Sequence, residues 1–197
     1  MKQYKHGGLK LRTNIQNTGM AFENCINIVN NFYFSKGLGL IQKQYTPFIP
    51  LRDKVGKVID VKVADKAISD YAGVFGKYAV AFEAKSCSSD KFEFNRLKMH
   101  QLETLAYYTW LGHIAFLFLS FKEEDFYILP YTVISGLINK NSESIQWKNV
   151  TQPVGKFKYI KKDDINDFFK LNIKSSGNTL SFLDYMSAVS RIFELNF

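Results

Sequence analysis

The chain has 197 residues, of which 46% are hydrophobic and 16% aromatic. A chain of this length can bury a large core without splitting, so the composition favours one compact domain and excludes a largely disordered protein. The 26 Lys and Arg residues outnumber the 18 Asp and Glu residues, giving a formal net charge of +8. This charge favours a polyanionic partner, either nucleic acid or an anionic membrane.

Cysteine content and hydropathy indicate a reducing, cytoplasmic location. Cys25 and Cys87 are the two cysteines, too few for a disulfide framework or a four-thiolate metal site. Cys25 lies on the apolar face of the first predicted helix and is predicted to be buried, whereas Cys87 is predicted to be exposed. The longest apolar run, residues 114–121, is far shorter than the roughly 20 residues that span a bilayer. Secretion and membrane insertion are therefore disfavoured.

The first third of the chain predicts a basic arm, a helix, a strand and a protrusion. Residues 1–16 contain no acid and no periodic apolar face, which is typical of a flexible arm. Apolar side chains at helical spacing from Phe22 to Tyr33 predict a helix, and a strand follows within residues 40–47. Residues 48–68 mix proline, glycine and charges with alternating valines, which predicts a protruding hairpin longer than an ordinary connection.

The rest of the chain alternates between strand and helix. Strands at residues 71–75 and 78–85 flank the turn sequence Gly76-Lys77, which predicts a β-hairpin. Further elements are predicted at residues 95–111 (helix), 114–121 and 126–129 (strands around a polar turn) and 182–193 (amphipathic helix). This order predicts a single mixed α/β domain over residues 1–197, with a central mixed β-sheet flanked by helices.

The hairpin at residues 71–85 brings together residue types that suit metal-dependent hydrolysis. Side chains alternate along a strand, so Glu83 and Lys85 project from one face, and pairing of the hairpin brings Asp70 close to both. Two carboxylates supply the hard oxygen ligands that Mg²⁺ or Mn²⁺ requires, and a neighbouring lysine can orient a water. The same spacing also fits a turn cap at Asp70 and a solvated strand face at Glu83 and Lys85.

An Asp, a hairpin and then Glu-x-Lys are similar to the signature of the PD-(D/E)-x-K nuclease superfamily. Other landmarks follow in a fixed order: Asn17-x-Gly19-Met20, Glu23, Thr46-Pro47, Ser69-Asp70-Tyr71, Phe82-Glu83-Ala84-Lys85 and His100-Gln101-x-Glu103. Together they closely resemble the RecU family of Holliday-junction resolvases over residues 17–121. The resemblance implies a restriction-endonuclease-like fold in which residues 48–68 form a stalk.

The resemblance also implies a role for each site residue. Asp70 and Glu83 would bind Mg²⁺, for which Mn²⁺ can substitute, and Lys85 would position the attacking water. Glu23 on the first helix would join the metal ligands or orient the metal's water shell, and Gln101 would face the metal centre and the lysine. For Glu23 a solvated helix flank remains an alternative, and for Gln101 an ordinary buried amide bonded to the backbone.

DNA contact is expected from basic residues of the stalk and the arm. The stalk would enter the centre of the junction, where crowded phosphates attract cations. The candidate contacts are Arg52, Lys54, Lys57, Lys62 and Lys66 in the stalk, with Lys10 and Arg12 in the arm. A solvated hairpin with exchangeable charges is the alternative. Thr18 stands where family members often carry an arginine, so junction distortion would depend on other cations.

The resemblance implies a Mg²⁺-dependent endonuclease that resolves four-way junctions by paired symmetric nicks in recombination and repair. Two symmetric cuts require two sites related by a two-fold axis, which implies a homodimer. Recombinase and branch-migration proteins are further candidate partners. Two alternatives remain open: a non-catalytic junction-binding regulator of recombination with the same fold, and an endonuclease that acts on duplex DNA.

Overall fold

The computed structural model describes residues 18–63, 67–138, 144–147, 150–153, 157–171 and 183–195. The helices and strands follow in this order: α1 (Thr18–Ser35), β1 (Gly39–Lys43), β2 (Phe48–Arg52), β3 (Val58–Val63), β4 (Tyr71–Phe75), β5 (Tyr78–Cys87), β6 (Lys91–Glu93), α2 (Met99–Trp110), β7 (Ile114–Phe121), β8 (Asp125–Pro130), α3 (Tyr131–Ile138), β9 (Ser144–Trp147), β10 (Val150–Pro153), β11 (Tyr159–Lys161) and α4 (Tyr185–Phe193). None of the helices in this part of the chain has the length and apolar character needed to cross a bilayer.

A five-stranded sheet with the order β1-β4-β5-β7-β8 forms the centre of the molecule. β5 and β7 are parallel, and the other neighbouring pairs are antiparallel. Parallel neighbours need a crossover connection, which α2 provides between β5 and β7. The sheet is therefore mixed and carries helices, which confirms the fold class predicted from the sequence.

The two faces of the sheet differ in chemistry. On one face Phe82 stacks on Tyr71 and on Phe116, with ring centroids 4.8 and 4.7 Å apart, respectively. Tyr185 of α4 contacts the edge of the Phe82 ring at 5.4 Å, and α1 covers the same aromatic core. The opposite face of β5 carries Glu83, which is in contact with α2. The aromatic face stabilises the sheet, so the face under α2 is the one that can hold polar groups.

The apolar stripe of α1 sets the burial of its cysteine. Ile26, Val29 and Tyr33 are at most 3% exposed and form the core side of the helix. Cys25 precedes Ile26 by one residue, which turns its side chain about 100° away from that stripe. Cys25 is exposed, so the predicted burial is wrong.

The second cysteine prediction is also wrong, because Cys87 is buried. Cys87 pairs with Phe121 at the end of the parallel β5–β7 ladder. Arg96 lies beside it, and its Nη1 donates to Cys87 Sγ at 3.4 Å while its Nη2 donates to the Ser86 carbonyl at 2.8 Å. A neighbouring strand and a folded-back arginine therefore cover a thiol that the linear sequence leaves at the end of a strand.

Long-range pairing accounts for the main differences from the predicted elements. The second helix begins at Met99 rather than near residue 95, because Lys91–Glu93 pairs with Tyr159–Lys161 as a short ribbon and a 3₁₀ turn follows. α3 was not predicted, and its residues are buried on most sides. The predicted arm at residues 1–16 and Phe182 lie outside the described residues.

The segment predicted to protrude forms its own two-stranded sheet of β2 and β3. Its tip is a tight loop in which Asp53 Oδ1 accepts from the main-chain N–H groups of Val55 and Lys57 at 3.0 and 2.9 Å. Gly56 adopts a φ of +85°, a left-handed conformation that favours glycine. Every side chain of β2 is exposed. The two strands pair with each other, and the side chains described for residues 48–52 and 58–62 are exposed rather than part of the core of the main sheet.

Candidate active site

Asp70, Glu83 and Lys85 meet at one end of the β4–β5 hairpin. The antiparallel register pairs Tyr71 with Phe82, which sets Asp70 beside Glu83. Lys85 Nζ lies 2.6 Å from Asp70 Oδ2 and 2.9 Å from Glu83 Oε2. The structure thus brings together the three side chains that the sequence pattern placed near one another.

Main-chain hydrogen bonds hold the two carboxylates in place. The Asp70 N–H donates to Glu83 Oε1 at 3.1 Å, and the Ala84 N–H donates to Asp70 Oδ2 at the same distance. Glu83 is 0% exposed. A solvated strand face, the alternative that the sequence left open, therefore does not describe Glu83.

Burial dominates the electrostatics of this group. It raises the pKa of Glu83 to about 8, because the charge of Lys85 compensates only part of the desolvation cost and Asp70 adds repulsion. Burial also disfavours the Lys85 ammonium, but the charges of Glu83 and Asp70 outweigh that effect and raise the pKa of Lys85. Lys85 is therefore a charged hydrogen-bond donor that keeps its proton at neutral pH.

Gln101 connects α2 to the carboxylate group. Its Nε2 donates to Glu83 Oε2, and its Oε1 accepts from the main-chain N–H of Lys98 at 3.0 Å. The side chain is only 9% exposed. Both ends of the amide are thus used: its oxygen bonds the main chain, as the buried-amide alternative expected, and its nitrogen bonds Glu83. A role of Gln101 toward a metal stays a prediction.

Glu23 pairs with Lys43 rather than with Asp70 or Glu83, and its place among the metal ligands or around the metal's water shell stays a prediction. Its Oε2 accepts from Lys43 Nζ at 2.6 Å, and its carbonyl lies 3.2 Å from the Tyr71 hydroxyl. Within the described ranges, no three His, Cys, Asp or Glu side chains lie close enough together to hold a metal. Lys43, the partner of Glu23, was not among the predicted site residues. Its position follows from the pairing of Lys43 with Tyr71 across β1 and β4, a register that the sequence does not show.

A cavity of about 460 Å³ opens beside Asp70. Its polar lining consists of Thr46, Ser69, Asp70, Lys98, His100 and Gln101. His100 is half-buried in the cavity wall. The cavity therefore gives solvent and solute access to the Asp70 side of an otherwise buried group.

The predicted DNA contacts of the stalk lie on the β2–β3 hairpin. Arg52, Lys54, Lys57 and Lys62 are all exposed. Arg52 Nη1 donates to the Gly56 carbonyl at 2.9 Å, which ties it to the tip of the loop. The remaining candidates, Lys10, Arg12 and Lys66, lie outside the described residues.

Residues 17–190 match the family described as RecU, Recombination protein U. Two proteins named Holliday junction resolvase RecU, from Streptococcus pneumoniae strains Hungary19A-6 and 70585, are each 29% identical over 136 residues, covering 65% of this chain and 68% of theirs. The solved structure of Hjc, a Holliday junction resolvase of Archaeoglobus fulgidus, has a TM-score of 0.38 and 14% identity, covering 58% of this chain and 78% of Hjc. The family match spans the sheet, the carboxylate group and α2, and the chain therefore belongs to the RecU family, as its motifs predicted.

Proposed function

We propose that this protein is an endodeoxyribonuclease that resolves four-way DNA junctions. The observation that carries the proposal is the buried group of Asp70, Glu83 and Lys85 in a chain of the RecU family. All three charged residues are present and in contact, whereas a non-catalytic relative would be free to lose any of them. The activity would be hydrolysis of one phosphodiester bond per site, with symmetric nicks in two opposing strands.

We infer that Asp70 and Glu83 hold a divalent cation, with Mg²⁺ as the natural ion and Mn²⁺ as a substitute. In the metal-free protein burial disfavours the charge on Glu83, so Glu83 holds a proton at neutral pH. A divalent cation would displace that proton, because ionised Asp70 and Glu83 offer hard oxygen donors and, with the Lys85 ammonium, carry a net charge of −1. When bound, the ion supplies positive charge to the phosphate and lowers the pKa of a coordinated water.

The side chains around this site would orient the reactants. Lys85, held as an ammonium by hydrogen bonds to its two acidic neighbours, would donate its remaining N–H to the attacking water. Gln101 and the Asp70 N–H fix the orientation of Glu83. The water oxygen forms a bond to phosphorus while the bond to the 3′ oxygen breaks, which leaves a 5′-phosphate and a 3′-hydroxyl.

Junction recognition would come from shape and phosphate position. The exposed cations Arg52, Lys54, Lys57 and Lys62 lie on a hairpin that is separate from the main sheet, where they can reach phosphates at the crossover. We include Lys10, Arg12 and Lys66 in this proposed contact set. Residues 1–197 would act as one nuclease domain with a basic arm at 1–16 and a stalk at 48–68. The working unit would be a homodimer in the cytoplasm, because two symmetric cuts need two sites.

The proposal is tested by cleavage of a labelled mobile four-way junction beside a linear duplex of the same sequence, with Mg²⁺, Mn²⁺ or a chelator. The wild-type protein should make metal-dependent paired nicks confined to the junction. Asp70→Asn and Glu83→Gln should abolish cutting and retain junction binding. Asp163→Asn, which changes an exposed aspartate in the turn after β11, should cut like the wild type.

The same assay separates the alternatives. Tight junction binding by the wild type without any cutting would identify a non-catalytic junction-binding protein. Equal cutting of junction and duplex would support the nuclease chemistry but contradict the proposal that the junction is the substrate. Full cutting by Asp70→Asn or Glu83→Gln would place the active site elsewhere.

A further inference from the structure

Two nitrogen-bearing side chains line the cavity beside Asp70 and have no part in the chemistry described above. Lys98 precedes α2 and His100 lies in its first turn, so both project from the wall that also carries Gln101. Asp70 and Ser69 reach the same cavity from the loop before β4. The cavity therefore has an acidic side at β4 and a side rich in hydrogen-bond donors at α2.

The Lys98 side chain is available for a ligand. Its main-chain N–H is occupied by Gln101 Oε1, but its ammonium makes no ion pair or hydrogen bond to any side chain within the described ranges. The imidazole of His100 is likewise without a partner there, although its carbonyl accepts from Thr104 Oγ1 at 2.9 Å. Removal of either side chain would therefore leave the helix start and the Gln101–Glu83 contact intact.

The charge of the neighbouring acids indicates which ligand these donors suit. A DNA strand that enters the cavity brings one negative charge per phosphate toward the acids Asp70 and Glu83, which share Lys85 as a cationic partner. Repulsion at short range is strong when the site is partly dry. A phosphate beside Lys98 would instead form a charge-assisted hydrogen bond, and an imidazole N–H could bind another of its oxygens.

We propose that Lys98, assisted by His100, binds a phosphate of the cleaved strand next to the scissile one. This inference rests on the proposed nuclease function and deepens it by adding a substrate-binding residue outside the stalk. The scissile phosphate itself lies over Asp70 and Lys85, so the phosphate at Lys98 is a neighbour along the same strand. The contact sets the register of the strand over the acids and is independent of base sequence.

The experiment neutralises single phosphates in the DNA. A series of junctions carries one methylphosphonate at each position within three nucleotides of a cut. With the wild type, the methylphosphonate at one of these positions should slow single-turnover cleavage by about tenfold. This is the loss expected when one charged hydrogen bond is removed. With Lys98→Met, cleavage of the natural junction should fall by about the same factor, and methylphosphonate at that position should cause no further loss.

Matched variants exclude a general effect of charge or folding. Lys98→Arg should keep the wild-type dependence on that phosphate. Lys77→Met removes an exposed lysine in the turn at the other end of the β4–β5 hairpin and should behave as the wild type. Thermal unfolding should show the same midpoint for Lys98→Met and the wild type, because Lys98 is exposed and its ammonium makes no ion pair with any residue that the structure describes.

Equilibrium binding in chelator separates this inference from the nuclease proposal. A methylphosphonate at the sensitive position should weaken junction binding by the wild type. The same modification should leave binding by Lys98→Met unchanged, whether or not the protein cuts. An identical methylphosphonate profile for both proteins would overturn the Lys98 contact even if the wild type cuts junctions. If the methylphosphonate weakens binding only when Lys98 is present, and the wild type does not cut, the contact is supported and the nuclease function is contradicted.

Discussion

Glu83 is a carboxyl group held inside the protein by one lysine, one amide and one main-chain N–H. Its ordinary pKa of 4.5 rises to about 8 in the fold. Between these values the folded protein holds a proton that the unfolded chain releases, so this group makes stability fall as pH rises. Burial of Glu83 therefore lowers the free energy of unfolding most at the alkaline end of the pH range in which a nuclease works.

Glu83→Gln should therefore remove a pH dependence from the stability of the metal-free protein. In chelator, the free energy of unfolding of the wild type relative to the variant should fall by a few kcal/mol between pH 5 and pH 8, because only the wild type then takes on a buried charge. Denaturant unfolding at both pH values measures this difference, and a difference that stays the same at both would contradict the raised pKa. With Mg²⁺ the wild type should gain stability and the variant should not.

Single residues also mark how far the sequence could predict this site. Asp70, Glu83 and Lys85 could be placed together because a short hairpin fixes their spacing and their alternation. Glu23 could not be placed, because its position depends on how α1 packs over β1 and on Lys43, a partner twenty residues away in the chain. The exposure of Cys25 depended on the same rotation of α1.

Elements with a regular apolar period were the ones that the sequence predicted. α1, the β4–β5 hairpin and the β7–β8 pair lie where the pattern placed them, with ends shifted by a few residues. α3 was missed because it is apolar nearly all round, so Val133, Ile134 and Leu137 give no alternation between buried and exposed positions. The β6–β11 ribbon joins segments far apart in the chain, and no local pattern predicts such a pair.

The β2–β3 hairpin is the element on which junction selectivity should depend. Pro50 pairs with Val61, so deletion of residues 51–60 and closure of Pro50 to Val61 through Asn-Gly gives a short hairpin without the tip. We expect this variant to keep metal-dependent hydrolysis and to lose its preference for junction over duplex. Competition binding and cleavage of both DNAs measure the preference.

A charge variant provides the matched control for this deletion. The double variant Lys54→Gln, Lys57→Gln leaves the hairpin intact and should weaken binding to all DNAs. The slope of log binding constant against log salt concentration should fall in magnitude by about one for each lost phosphate contact. Undiminished junction preference after the deletion would show that the hairpin does not recognise the junction.

At the scale of the whole molecule, one chain contains one set of Asp70, Glu83 and Lys85. A single set cuts one strand, so paired nicks require two chains bound to one junction. A mixed dimer of wild type and Asp70→Asn, isolated through two different tags, should nick only one strand of each junction. Denaturing and native gels of the same reaction distinguish a single nick from paired nicks. Paired nicks at the normal rate would contradict the two-site arrangement.

The parallel pairing of β5 with β7 has a consequence for the order in which the protein folds. Asp70, Glu83 and Lys85 lie within one hairpin, and hairpins form in about 1–10 μs. The β5–β7 ladder and the contact from Gln101 must wait until the α2 crossover has closed, a slower and less local event. We expect the three charged groups to gather first in water, as an ordinary ion cluster, and to lose their water only when α2 and β7 dock. The raised pKa of Glu83 would then be a property of the completed fold, absent from a hairpin that has formed alone.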